Sequence, residues 1–371
     1  MRIHGQWRLV PFVAVLLWAF VPAAGSEAAT LHVANTGVDG FACGAADSPC
    51  RSISRAIAVA AIDDTIIVGP GRYGDVNGDG DFDDPGDEAA ELEVGSCLCL
   101  IKVNKRGLTI RSRDGAAVTV LDAGGLPVSV VHVEADDVTL GSRSRGFTLV
   151  GGHRGVSVGA GTRGVTVDGN LAVVDAGDPS TDLDAGLFDA GFVIDGTRHR
   201  VRYNAAIANP ALGFVVLGDR HRLEGNLASV SRQQGFYLPF GSEGHTLVSG
   251  FAIANDQDGI FVDVGGHART VSRNVLVGNR GAGIALDRIA EGPIVLRGNN
   301  IYGNGIPDGF NCGLWNNNPG VSIDATKNFW GFAGGPFEDP GDEVCNIGDS
   351  ETVTDPFADA EFSRRQWDSL W

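Results

Sequence analysis

The stretch GIFVDVGGHARTVSRNVLVGNRGA, residues 259–282, decides the fold. A glycine opens a short alternating run in which Ile260, Val262 and Val264 share one face while Phe261 and Asp263 share the other. A second short run ends at Asn274, and a third, Val275–Val277, ends at Gly278-Asn279. Similar runs open at Gly191, Gly213, Gly235, Gly283 and Gly309, so successive glycines stand 22, 22, 24, 24 and 26 residues apart. A self-similar period in this range signals a solenoid. Three short strands per period cannot bury their inner faces alone. Stacked coils can, each bonding the next at about 4.8 Å around a continuous apolar core. Helical repeats of this length need long amphipathic segments, which the sequence lacks.

The asparagines fit the same scheme. Asn204, Asn226, Asn274 and Asn299 recur after the second strand, with Gly250 in their column. Asn209, Asn255, Asn279 and Asn304 recur five residues further on, with Ser231 in theirs. Stacked, they become ladders that satisfy buried turn backbone, a structural role. His199, His221 and His245 likewise occupy equivalent places in three successive coils. The expected fold is all-β, a right-handed parallel β-helix of roughly ten coils with a short N-terminal capping helix. That helix is SISRAIAVA, with Ile53, Ala56, Ile57 and Ala60 on one face.

The first 29 residues combine a basic start, the apolar run PFVAVLLWAFV and small residues, and read as a signal peptide of an exported protein. The apolar run is too short to span a bilayer, and no later one is longer. Coils are expected over residues 30–331 and a capping tail over 332–371, with Phe337, Phe357, Phe362 and Trp367 covering the open end. The segment after Val174, up to Gly191, is longer than the repeat needs and should loop out beside the strands. A net charge of −18 excludes nucleic acid as the expected partner and favours cations. Six cysteines suit an oxidising compartment. Cys43–Cys50 and Cys312–Cys345 are the expected pairs, with Cys97 and Cys99 left open.

Two stretches carry a family resemblance. The segment LHVANTGVDGFACGAADSPCRSISRAIAVAAIDDTIIVGPGRYGD, residues 31–75, resembles the opening of secreted bacterial β-helix proteins of the pectate-lyase-like superfamily. KNFWGFAGGP, residues 327–336, is similar to their closing signature. Asp63-Asp64 departs slightly from the usual Gly-Asp. The resemblance implies the β-helix fold; it fixes no activity, because the superfamily holds lyases, hydrolases, epimerases and adhesins.

Chemistry is expected at two places. In DVNGDGDFDDPGDE, residues 75–88, Asp75, Asn77, Asp79 and Asp81 alternate as hard ligands for Ca²⁺ do, with Asp83 and Asp87 as further ligands. The loop resembles an EF-hand or dockerin-type loop, although its twelfth position is Gly86, so Asp87 or Glu88 must supply the closing acid. A structural Ca²⁺ is the expected cofactor.

The second place is the outward face of the first strand. One column there reads Val193, Val215, Tyr237, Phe261 and Ala285, and the next Asp195, Leu217, Pro239, Asp263 and Asp287. Apolar residues pointing outward suit either stacking against sugar or cover by the 175–190 insertion. Asp263 and Asp287, on adjacent coils about 5 Å apart, are the candidate catalytic pair with Arg288. Tyr237, Phe261 and His267 are the candidate substrate contacts. The short carboxylate spacing suits a retaining glycosidase and disfavours an inverting one. Intact motifs of pectate lyases, polygalacturonases or alginate epimerases are absent. The expected function is a secreted, monomeric, carbohydrate-active protein of lyase or epimerase type that binds or modifies extracellular polysaccharide. The alternative is a non-catalytic surface, adhesion or matrix protein.

Overall fold

A computed structural model describes residues 1, 28–75, 77, 79, 81–92, 97–174, 189–290, 292, 294–305, 311–338 and 340–362. Residues 2–27, most of the expected signal peptide, the 175–188 part of the insertion and Trp367 lie outside them. The chain is a parallel β-helix solenoid. One sheet stacks ten parallel strands, from Thr30–Val33 to Val295–Arg297. The first strands of the coils form a second stack, through Ala190–Ile194, Leu212–Val216, Phe236–Leu238, Ile260–Val262, Ile284–Asp287 and Cys312–Asn317. The third strands form another, from Leu171–Val173 to Asn300–Tyr302.

Strands form here because every second residue has an apolar column to join. Phe192, Phe214 and Phe236 stack inside the core, with ring centroids 4.7 and 4.8 Å apart. The glycine column lets the coils approach: a Cβ on Gly259 would lie 2.7 Å from the Gly283 carbonyl oxygen. The asparagine ladders form as read. The Asn274 side chain accepts from the Gly250 N–H (2.8 Å) and donates to Leu247 O (3.0 Å) and Asn299 (3.1 Å). The first ladder also includes Asn170 and Asn328, and the second ends on the buried carboxylate of Asp342, 2.8 Å from Asn304. Burial raises the Asp342 pKa.

The capping helix spans Ile53–Val59 and buries Ile53, Ala56 and Ile57 against the first coil. Two side chains hold its start. Ser52 Oγ accepts from Arg55 N–H at 3.1 Å, and the buried Glu88 accepts from the Ile53 and Ser54 N–H groups at 2.8 and 2.7 Å. Glu88 therefore caps a helix. At the other end the solenoid continues past residue 331: Glu343–Asn346 pairs with Cys312–Asn317, and Glu351–Val353 pairs with Ser322–Asp324. Phe357 packs on the core, whereas Phe337 is 69% and Phe362 39% exposed. Disulfides join Cys43–Cys50, Cys312–Cys345 and Cys97–Cys99. Among the described residues no helix is long and apolar enough to cross a membrane.

Candidate functional site

The outward column of the first strands runs Val193, Val215, Tyr237, Phe261, Ala285, in direct register, and continues to Trp315 and Cys345. The sequence reading missed Trp315 because it opened the sixth coil at Gly309. Gly283 N–H instead bonds the carbonyl of Cys312, so Gly313 fills the glycine column. The alternation in CGLWNNN, with Leu314 buried and Trp315 outward, is the signal that sets this register.

The upper part of the column is closed. Ala190, Leu212 and Val215 are buried, with Val193, Leu217 and Tyr237 packed beside them. The lower part opens into a cavity of about 400 Å³ lined by Asp258, Phe261, Arg280, Ala285 and Trp315, with Cys312 and Ile347 at one side. Small residues between two aromatic rings make the room: Ala285 separates Phe261 from Trp315 in the column. The coils supply the geometry, because each outward position repeats one strand spacing further on.

Asp258 stands in the turn before its strand, where no periodic signal marks it. Its Oδ1 accepts from Ala282 N–H at 2.7 Å, and burial pushes its pKa up to about 6. Arg280 lines the same cavity and lies 3.9 Å from Asp256 at the rim.

Asp263 and Asp287 share a column as read, but each carboxylate is held from its other side. Tyr237 OH donates to Asp263 at 2.6 Å from the preceding coil, and Val264 N–H donates at 2.7 Å. Asp287 accepts from the Asn317 amide at 2.7 Å in the following coil and lies 3.3 Å from Arg288 Nε. The Tyr237 ring stacks on Phe261 at 5.7 Å, and burial followed by the Asp263 hydrogen bond raises its pKa.

His267 does not join this group. It sits at the turn leading into Ala268–Ser272 of the ten-stranded sheet, with its carbonyl facing His245 N–H. It continues the column of His199, His221 and His245, whose rings stack at 4.7 and 4.9 Å. There each Nδ1 accepts a backbone N–H, from Val165, His199 and His221 in turn, so the proton sits on Nε2. Burial lowers their pKa, that of His221 to about 2 and of His245 to about 3. The stack is structural and neutral.

Nearer the N-terminus the same outward column is polar, reading Lys102, His132, Ser157. His132 Nδ1 lies 2.7 Å from Ser157 Oγ, which lies 2.9 Å from the buried Ser129 Oγ. Lys102 sits between Glu91 (3.2 Å) and Glu134 (3.3 Å).

In the acidic loop, carboxylate oxygens of Asp79, Asp81 and Asp84 come within 4.8 Å of one another. The Asn77 amide donates to Asp79 at 2.8 Å and also to Asp84, lending positive hydrogens where a cation would sit. Partial desolvation and the charges of Asp79 and Asp87 raise the Asp84 pKa. The structure thus gathers Asp84, which the sequence reading passed over, in place of Asp83. Asp83 carries a raised pKa from its hydrogen bond to Asp81 and that residue's charge. Asp87 is buried and accepts from Asp84 N–H at 3.1 Å, while Asp75 lies at the loop's entry. Three converging hard carboxylates fit Ca²⁺.

No family model and no curated protein matches the sequence. Among solved structures, the A-module of the Azotobacter vinelandii mannuronan C-5 epimerase AlgE4 is similar at 14% identity and a TM-score of 0.40, over 79% of this chain and 88% of that one. The GH136 lacto-N-biosidase from Eubacterium ramulus is similar at 10% identity and a TM-score of 0.40, over 89% and 67%. The A-module of AlgE6 from Azotobacter vinelandii follows at 13% and 0.32, over 79% and 88%. At such scores no residue role passes from them to this chain.

Proposed function

We propose that the protein is an exported, monomeric β-helix that takes an extracellular polysaccharide along its first-strand face. The observation that carries this reading is the cavity between Phe261 and Trp315, floored by Ala285 and flanked by Asp258 and Arg280. Aromatic faces stack on the apolar faces of sugar rings, and the small floor leaves depth for one. Arg280 would pair with a sugar carboxylate, and the rim of Asp263, Asp287 and Arg288 would bond hydroxyls.

Asp258 is the residue of this reading that can move a proton. A carboxyl with a pKa of about 6 is part protonated in weakly acid solution and can donate or accept there. Lyase or epimerase chemistry requires removal of the proton beside a uronate carboxylate, and Arg280 would hold the charge that develops. Ca²⁺ held by Asp79, Asp81 and Asp84 would order the 75–88 loop, far along the chain from this chemistry.

A non-catalytic role is the second reading, favoured by one observation. Both Asp263 and Asp287 are committed to neighbouring donors, as in a surface built to bind. The deciding experiment presents uronate and neutral polysaccharides to the mature protein, with calcium and with chelator. Ultraviolet absorbance reads unsaturated lyase products, reducing ends read hydrolysis, and NMR reads epimerisation. Turnover of one polymer that is lost in Asp258→Asn establishes an enzyme. Binding without turnover, lost in Trp315→Ala, establishes the second reading. Neither binding nor turnover of any polymer sinks both.

A further inference from the structure

The chain carries a net charge of −18, yet one strip of the ten-stranded sheet is cationic. Arg200 and Arg222 are direct neighbours in register on strands Arg200–Arg202 and Arg222–Glu224. Arg198 and Arg220 stand together at the turn just before those strands, next to the Thr197–Asp219 bridge. All four side chains are exposed. Like charges one strand spacing apart, about 4.8 Å, repel. Asp219 answers Arg220 at 3.2 Å and Glu224 answers Arg222 at 3.1 Å. Among the described residues, Arg198 and Arg200 form no ion pair.

Arg198 has φ +57° and Arg220 φ +54°, a left-handed turn conformation that Tyr203, Val230 and Arg273 also adopt in other turns of the solenoid. The flanking coils place Gly164 (φ +71°) and Gly244 (φ +65°) at the same position. In the column of Arg200 and Arg222, the flanking coils place Thr166 and Thr246. Two adjacent coils thus carry four arginines where the flanking coils carry glycine and threonine.

We infer that this strip docks a linear acidic polysaccharide. Arginine forks match carboxylate and sulfate groups in two-point contacts, and the threonine hydroxyls continue the row in both directions for sugar hydroxyls. The strip is narrow, bordered by Asp136, Asp137 and Glu243 at neighbouring turns. A slender single chain can follow it, whereas a nucleic acid duplex or a lipid surface would also meet those acids. The strip lies on a different sheet from the Phe261–Trp315 cavity, so it stands or falls apart from that cavity's role.

The test is the variant R198G/R200T/R220G/R222T, which gives each position the residue of its neighbouring coil. Single variants R198G and R200T serve should the fourfold variant fail to fold. Binding of polygalacturonate, neutral dextran, a DNA duplex and phosphatidylglycerol vesicles is measured by calorimetry over a range of salt. Polygalacturonate binding that weakens with salt and falls roughly tenfold or more in the variant supports the inference. Polygalacturonate binding unchanged by the substitutions, equal binding of neutral dextran, or tighter binding of the duplex or the vesicles overturns it.

Discussion

Tyr237 reaches from one coil to the next and donates its phenolic hydrogen to Asp263 at 2.6 Å. The bond fixes an outward aromatic ring against Phe261 and ties down a carboxylate that the column would otherwise set facing Asp287. Tyr237→Phe keeps the ring stack and removes only the donor, and Asp263 retains the Val264 N–H. The expected cost is about 1 kcal/mol of stability, read from urea unfolding, since a part-exposed carboxylate regains water. An unchanged midpoint would show that the bond contributes nothing net.

Trp315 is the aromatic wall of the cavity least needed by the core. It points outward, between Ala285 and Cys345 in register. Trp315→Ala should leave the thermal midpoint within a few degrees, while polysaccharide affinity falls by about 2 kcal/mol, roughly 30-fold. Equal affinity in the variant would remove the cavity from the reading.

Asp258 provides a pH signature. Its folded pKa of about 6 lies above the unfolded carboxylate value of about 3.9. The native state therefore binds the extra proton, so the group's stabilising contribution is complete below about pH 4 and lost as pH rises through 6. Asp258→Asn should raise stability at pH 8 by about 2 kcal/mol and leave it nearly unchanged at pH 4. Urea unfolding at the two pH values checks this, and the opposite order of effects would refute the burial argument.

The histidine stack has the opposite sign. His221 and His245 have folded pKa values of about 2 and 3, below the unfolded value of about 6.5. Stability from keeping them neutral is present above pH 6.5 and is lost as pH falls towards the folded values. His221→Asn puts an amide oxygen where Nδ1 accepts the His199 N–H and removes one titrating group. The slope of stability against pH between 4 and 6 should become shallower by about 1.4 kcal/mol per unit. An unchanged slope would mean that the ring is protonated in the native state.

What the sequence disclosed follows from how a solenoid is built. Each column repeats a single environment, so the ladder through Asn204, Asn226, Asn274 and Asn299 and the column through Tyr237 and Phe261 show as spacings. Turns between strands absorb slack, and one sequence does not mark where. That is why the sixth coil slipped from Gly313 to Gly309 and Trp315 went unseen. Asp258 escaped for a different reason: its raised pKa comes from burial, against the lowering effect of the Ala282 N–H it accepts, and the burial of a turn residue leaves no spacing in the sequence. His267 was assigned to the outward face from its place in the repeat, but the turn carries it round to the histidine side. In the acidic loop, strict alternation selected Asp83, whereas the carboxylates that come together among the described residues are those of Asp79, Asp81 and Asp84.

That difference makes calcium testable residue by residue. The carboxylates of Asp79, Asp81 and Asp84 converge, and the Asn77 amide already bonds two of them. A bound Ca²⁺ would take over that role with its full charge, and by binding only the folded loop would stabilise it by roughly 3 kcal/mol at a hundredfold excess over its dissociation constant. Adding chelator should then lower the thermal midpoint of the wild-type protein by several degrees and shift protease cleavage into residues 75–88. Asp84→Asn should abolish that response, and Asp83→Asn should preserve it. If Asp83 proves the sensitive position, the loop closes around the ion with the alternate spacing of the sequence. If chelator changes nothing in any variant, the Asn77 bridge suffices and the loop holds its acids without metal.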